Sequence, residues 1–147
     1  MASWVDPDPG PSPGGGRRSR STGPLLRVVL ERLAMPLRRA LAVEQVAIGP
    51  ERRPALRLTR SLIAGARFAG CTDTAVSECL GISINAVRTR GGSDGWIAVD
   101  DFIALADLDR TVIEQWITDG RLPTAATGAD GRHSYAASQL MRALSQG

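Results

Sequence analysis

Residues 83–90, Ser-Ile-Asn-Ala-Val-Arg-Thr-Arg, hold the side chains best suited to specific chemistry in this 147-residue chain. Arg presents a fork of donors that matches guanine O6 and N7, and Asn pairs with adenine N6 and N7. Asn85 and Arg88 are three residues apart, so on a helix they share a face. Ser83 stands where a helix would begin, and its hydroxyl and the free backbone N–H groups there suit a phosphate oxygen. Thr89 and Arg90 follow as further phosphate contacts. Catalysis has little to build on. The chain has no Gly-rich phosphate loop, one His (His133) and two cysteines, Cys71 and Cys79. These supply no Ser/His/Asp set and no convincing zinc site. We expect no enzyme activity, no cofactor, and free, reduced cysteines. The acidic pair Asp100-Asp101 opens a helix, where the macrodipole favours it.

Charge is unevenly distributed. All 18 basic residues are Arg. Residues 1–92 carry a net +7 and residues 93–147 a net −4. The basic part suits a polyanion, while the acidic part suits a protein. No apolar run approaches the roughly 18 residues that a membrane span needs. The N-terminus, "MASWVDPDPGPSPGGG", lacks the apolar core of a secretory signal. A cytoplasmic, nucleoid-associated protein is expected, without a membrane partner.

Three segments must position these groups. Residues 1–23 are Pro-, Gly-, Ser- and Arg-rich, and read as a disordered basic arm. Residues 24–92 read as an Arg-rich helical domain. Leu26, Val29, Leu30, Leu33, Leu37 and Leu41 stand at helical spacing, with Pro36 expected to end or kink the helix. Leu56, Leu58, Ile63, Ala66 and Phe68 form a second stripe behind Pro54. Thr72 or Asp73 then caps a short helix, Gly81 breaks it, and Ser83 caps the next. Residues 91–95, "GGSDG", read as a flexible joint.

Residues 93–147 read as a second domain. A helix is expected from about Asp100, a turn near Asp107, a helix to about Thr118 and a stop at Gly120. A β-hairpin over "TAATGADGRHSY" and a last helix from about Ala137 follow. The two helix pairs echo one another at a spacing of 26 residues. Val76, Leu80, Gly81, Ile82 and Val87 correspond to Phe102, Ala106, Asp107, Leu108 and Ile113.

Residues 73–92 hold a small crossing residue (Ser77), a turn glycine (Gly81) and inward apolar positions at Val76, Leu80, Ile82 and Val87. "TDTAVSECLGISINAVRTR" therefore resembles the helix-turn-helix of sigma factor region 4 and LuxR-type regulators. Ala86 stands where that family usually has Thr. "IAVDDFIALADLDRTVIEQWITDGRLPTAATGADGRHSYAASQL" resembles the winged helix-turn-helix of excisionases and MerR-type regulators. It carries Asp101, Trp116, Gly120-Arg121-Leu122-Pro123 and Arg132 at the corresponding places. The resemblances imply a mostly α fold: a helical bundle with a helix-turn-helix, then a small winged helix-turn-helix with a short β-hairpin.

They also imply sequence-specific binding to double-stranded DNA, by a transcriptional regulator or an excisionase-like factor of a phage or mobile element. The implied contacts are Ser83, Asn85, Arg88, Thr89 and Arg90 in the first pair. In the second they are Arg110, Thr111, Gln115, Arg121 and Arg132. The second pair's outward face (Asp109, Arg110, Thr111, Glu114, Gln115, Thr118) holds two acids and one Arg, so it either reads a base edge or binds protein. The alternative function is a structural or adaptor protein of a phage or packaging complex. The chain acts either as a monomer with two readers or as a homodimer through the Leu-rich helix at 24–41.

Overall fold

The computed structural model describes residues 24–90, 92, 94–128 and 131–146; the expected N-terminal arm lies outside them. The protein is mostly helical, with one small antiparallel sheet. α1 (Pro24–Val46) is followed by a one-turn 3₁₀ helix at Gly49–Glu51 and by α2 (Arg52–Phe68). Two short helices come next, α3 (Asp73–Leu80) and α4 (Ile84–Arg90). A strand, β1 (Trp96–Ala98), leads into a second short pair, α5 (Val99–Ala106) and α6 (Arg110–Thr118). The hairpin β2 (Ala126–Thr127) and β3 (His133–Ala136) and the last helix α7 (Ala137–Ser145) complete the chain. The sheet order is β1-β3-β2, with Ile97 opposite Tyr135 and Thr127 opposite His133. β1 was not expected from the sequence. Three residues are too few for an alternating pattern to stand out.

Pro36 does not end α1, which continues to Val46. Pro36 is itself fully buried, so the packing around it offsets the lost helical hydrogen bond. In α2 the buried stripe is Ala55, Thr59, Leu62, Ile63 and Ala66, and Phe68 is 59% exposed rather than inward. Small residues on this stripe permit close packing. At Gly65 an added Cβ would lie 2.8 Å from the Ala137 carbonyl oxygen, so α2 and α7 pack almost backbone to backbone.

One hydrophobic core joins the two halves of the sequence. It runs without a break from Leu33 and Leu37 of α1 through Leu62, Val76 and Val87 to Phe102, Ile113, Trp116 and Tyr135. Residues 24–92 and 93–147 therefore contribute to the same interior. The linking segment is also tied down in part. Asp94 accepts hydrogen bonds from the Ser138 amide (2.9 Å) and hydroxyl (2.6 Å) at the start of α7. The Ala137 amide donates to the Gly95 carbonyl at 2.7 Å. Asp94 and Gly95 are thus held against the start of α7.

α1 also supplies the ends of three other helices. Each helix leaves carbonyls unsatisfied in its last turn. Arg32 donates to the carbonyl of Ser145 in α7 at 2.8 Å, Arg38 to Cys79 in α3 at 3.0 Å, and Arg39 to Ala104 in α5 at 3.0 Å. A cation at a helix C-terminus is further favoured by the macrodipole. Much of the arginine content of α1 thus serves the fold.

Two buried acids should make stability fall at alkaline pH. Burial pushes the Cys71 thiol up from 9.0 to about 11, with Cys79 nearby adding to the shift. Burial also raises the Tyr135 hydroxyl, which donates to the Pro123 carbonyl at 2.6 Å. Above pH 9 the unfolded chain loses the Cys71 proton while the folded chain keeps it, so stability present below that pH is lost as the pH rises toward 11. The expected slope is at most about 1.4 kcal/mol per pH unit for each group. Urea midpoints measured between about pH 8 and 11 should fall. A midpoint that stays flat would show that burial does not hold these protons.

Candidate nucleic-acid interface

The turn between α3 and α4 is built from three features. Thr72 caps α3, its hydroxyl oxygen accepting from the Ala75 amide at 3.1 Å. Gly81 adopts φ 69°, ψ 29°, and its amide donates to the Ser77 carbonyl at 2.8 Å. That left-handed conformation is open to Gly at no steric cost. The Ser77 hydroxyl then donates to the Ile82 carbonyl at 2.5 Å, holding the far side of the turn. A small polar residue at the crossing therefore also ties the turn.

The second pair repeats this geometry 26 residues on. Asp107 has φ 57° and is the only non-glycine at positive φ among the described residues. The Leu108 amide donates to the Ile103 carbonyl at 3.0 Å, as that of Ile82 does to Ser77 at 3.3 Å. Ile103, in the place of Ser77, has no hydroxyl to add the third bond. Val76 and Phe102 are fully buried, and so are Val87 and, nearly, Ile113. The sequence echo is therefore an echo of backbone conformation and of burial.

α4 turns a polar face outward. Val87 is buried, while Asn85, Arg88 and Thr89 are exposed. Ser83 caps the helix, its oxygen accepting from the Ala86 amide at 3.0 Å. The Thr89 hydroxyl donates back to the Asn85 carbonyl at 2.8 Å. Arg88, with 65% of its side chain exposed, stands 3.7 Å from Asp73, which Arg67 already holds at 2.7 Å. An exposed pair at that distance contributes roughly 0–1 kcal/mol, so Arg88 is readily released to another acceptor.

Arg90 occupies a different place from the one expected. Its guanidinium grips Glu44 of α1 at 2.7 and 3.1 Å and also donates to the Ala86 carbonyl at 3.2 Å. Only 23% of the Arg90 side chain and 10% of the Glu44 side chain are exposed. Arg90 therefore anchors the C-terminus of α4 rather than facing outward for a phosphate. No local pattern announces this contact, because the partner lies 46 residues away.

In the second pair the nominated cations have partners close at hand. Arg110 pairs with Asp100, and Arg132 with Asp101 at 2.9 Å. Gln115 donates to Asp119 at 2.8 Å. Thr111 and Arg121 are exposed. So is His133 at the start of β3. The acids that open α5 thus neutralise locally the arginines of α6 and of the hairpin.

Sequence reasoning assigned no role to a further set of arginines. Arg52, Arg53, Arg57 and Arg60 of α2 are exposed and have no hydrogen-bonding or ion-pair partner among the described residues. Arg53, Arg57 and Arg60 follow one face of the helix. Arg57 and Arg60 border a cleft of about 370 Å³ that Thr89 and Arg90 close from the α4 side. The available signal was a helical arginine period on α2; what it faced depended on the docking of α4.

No helix among the described residues is long and apolar enough to cross a membrane. Among the described residues, no group of three or more His, Cys, Asp or Glu side chains could hold a metal ion. Compared with known protein families, curated proteins and solved structures, the chain matches none.

Proposed function

We propose that this chain is a sequence-specific duplex-DNA-binding protein, a transcriptional regulator or excisionase-like factor, with α4 as its principal reading element. The observation that carries this reading is the outward face of α4. Asn85 and Arg88 stand exposed there on a short helix fixed at both ends, by the Ser77–Gly81 turn and by the Arg90–Glu44 pair. A rigidly mounted helix with Asn and Arg exposed on one face has the donors and acceptors that major-groove base edges match. Ser83 and Thr89 flank these two residues. Arg121 and Thr111 remain open for backbone contacts in the second pair.

A second reading, a structural or adaptor protein that uses the α5–α6 pair for protein contacts, is favoured by a specific observation. Asp100 and Asp101 hold Arg110 and Arg132, so that face offers DNA little positive charge. The first pair then binds DNA while the second binds protein, or both bind protein.

A gel-shift salt series distinguishes these. The wild type should bind random duplex DNA at low salt and a selected sequence more tightly. Arg88→Ala should weaken the selected sequence by about 1–3 kcal/mol, roughly 5- to 150-fold, and relax preference at one base position. Absence of duplex binding even at low salt removes the DNA reading. Binding that is indifferent to Arg88 removes α4 as the reader.

A further inference from the structure

Between α2 and α4 lies the cleft of about 370 Å³ bordered by Arg57, Arg60, Ser61, Thr89, Gly92 and Gly95. Its walls come from residues 28 or more apart in sequence, and three features point to a bound anion. First, Arg57 and Arg60 lie three residues apart on one helix face, and neither has an acidic partner among the described residues. Arg67 and Arg90, by contrast, each hold a carboxylate nearby. Second, Ser61 is 95% buried, being 5% exposed, yet its hydroxyl has no hydrogen-bond partner among the described residues. A buried hydroxyl without a partner costs free energy unless a ligand or water satisfies it. Third, glycine shapes the cleft wall: the Gly95 backbone approaches the Ser61 hydroxyl so closely that a Cβ there would collide with it, while Gly92 faces open space.

The position of the cleft indicates which anion. Thr89 lies one turn beyond Asn85 on the same outward face of α4, so the cleft continues the surface that carries Asn85 and Arg88. A strand whose bases meet α4 must carry a phosphate within a few ångströms of those bases, and arginine forks suit phosphate oxygens. We propose that this cleft binds a phosphodiester of duplex DNA next to the bases read by α4. Arg57 and Arg60 neutralise its charge, and the Ser61 hydroxyl donates to one of its oxygens. This rests on the DNA-binding reading of α4 and adds to it a site that sets register without reading sequence.

The test compares the full chain with Arg57→Ala/Arg60→Ala, with Arg57→Lys/Arg60→Lys, and with a charge-matched control, Arg27→Ala/Arg142→Ala. Duplex affinity is measured by fluorescence anisotropy over a salt series on a selected and a random sequence. Each phosphate contact contributes about 0.9 to the slope of log affinity against log salt. The Ala pair should make the slope shallower by roughly 1 and weaken both sequences by the same factor. The Lys pair should restore most of the slope, and the control should leave it close to wild type. Amide NMR should show Thr89, Gly92 and Gly95 shifting with duplex in the wild type.

If the wild type binds no duplex, both this site and the DNA reading fall. If duplex is bound in an Arg88-dependent manner but the Ala pair keeps the slope of the control, this site alone is overturned. If millimolar inorganic phosphate shifts the three amides and duplex does not, the cleft is a small-anion site and the phosphodiester assignment is overturned.

Discussion

Replacing Phe102 with Ala should lower the stability of the whole chain, not of its C-terminal half alone, by about 3–5 kcal/mol. Phe102 is fully buried in α5 and belongs to the same continuous core as Leu33 and Leu37 of α1 and Val76 of α3. Removing a buried phenyl ring costs its transfer free energy and leaves a cavity that close-packed neighbours fill only in part. That loss is a large share of the roughly 5–15 kcal/mol by which a domain is stable. Because the interior is shared, unfolding should remain a single transition. Urea melts followed by helical circular dichroism and by tryptophan fluorescence should shift together, and hydrogen exchange should accelerate in α2 and α3 as well as in α5. Separate transitions, or lost protection confined to residues beyond 93, would show two independently folding units instead.

Glu44→Ala should be the second costly change, at about 3 kcal/mol. Glu44 is 8% exposed and holds the Arg90 guanidinium at 2.7 Å. Removing the carboxylate leaves a mostly buried cation with the Ala86 carbonyl as its remaining acceptor. Breaking one partner of such a pair costs far more than the pair contributes relative to apolar residues of similar volume. The double variant Glu44→Leu/Arg90→Leu should therefore recover most of the loss. The single change also separates two effects on DNA binding. Deleting an acid from a protein that binds a polyanion should tighten it by general electrostatics. If the pair instead holds the C-terminus of α4 in place, selected-site affinity should fall while non-specific affinity rises. A rise in both would show that Arg90 positions nothing.

Much of the local structure was legible. Gly81 and Asp107 marked their turns because few residues adopt positive φ readily. Thr72 and Ser83 announced helix starts through hydroxyls that accept from amides three residues on. Gly120, at φ 81°, stopped α6 where expected. The outward placement of Asn85 and Arg88 followed from the inward placement of Val87, since a helix repeats every 3.6 residues. Hidden features depended on partners distant along the chain. Phe68 was read as inward by period alone, but α2 presents its neighbouring Ala-rich face to α7.

The amino-acid sequence by itself determined most short-range features of this protein: the helix starts, the stops at Gly81 and Gly120, the two matching turns, the hairpin, and which face of α4 is polar. These are set by backbone sterics and by hydrogen bonds between residues three to five positions apart. Only the tertiary structure decided the fate of the charges. Arg32, Arg38 and Arg39 satisfy helix ends, Arg90 is held by Glu44, and Arg110 and Arg132 are held by Asp100 and Asp101. Among the described residues, Arg57 and Arg60 stay unpaired beside α4. An arginine side chain has the same composition in every one of these roles. What it does depends on which carbonyl or carboxylate the packed core brings within about 3 Å of it.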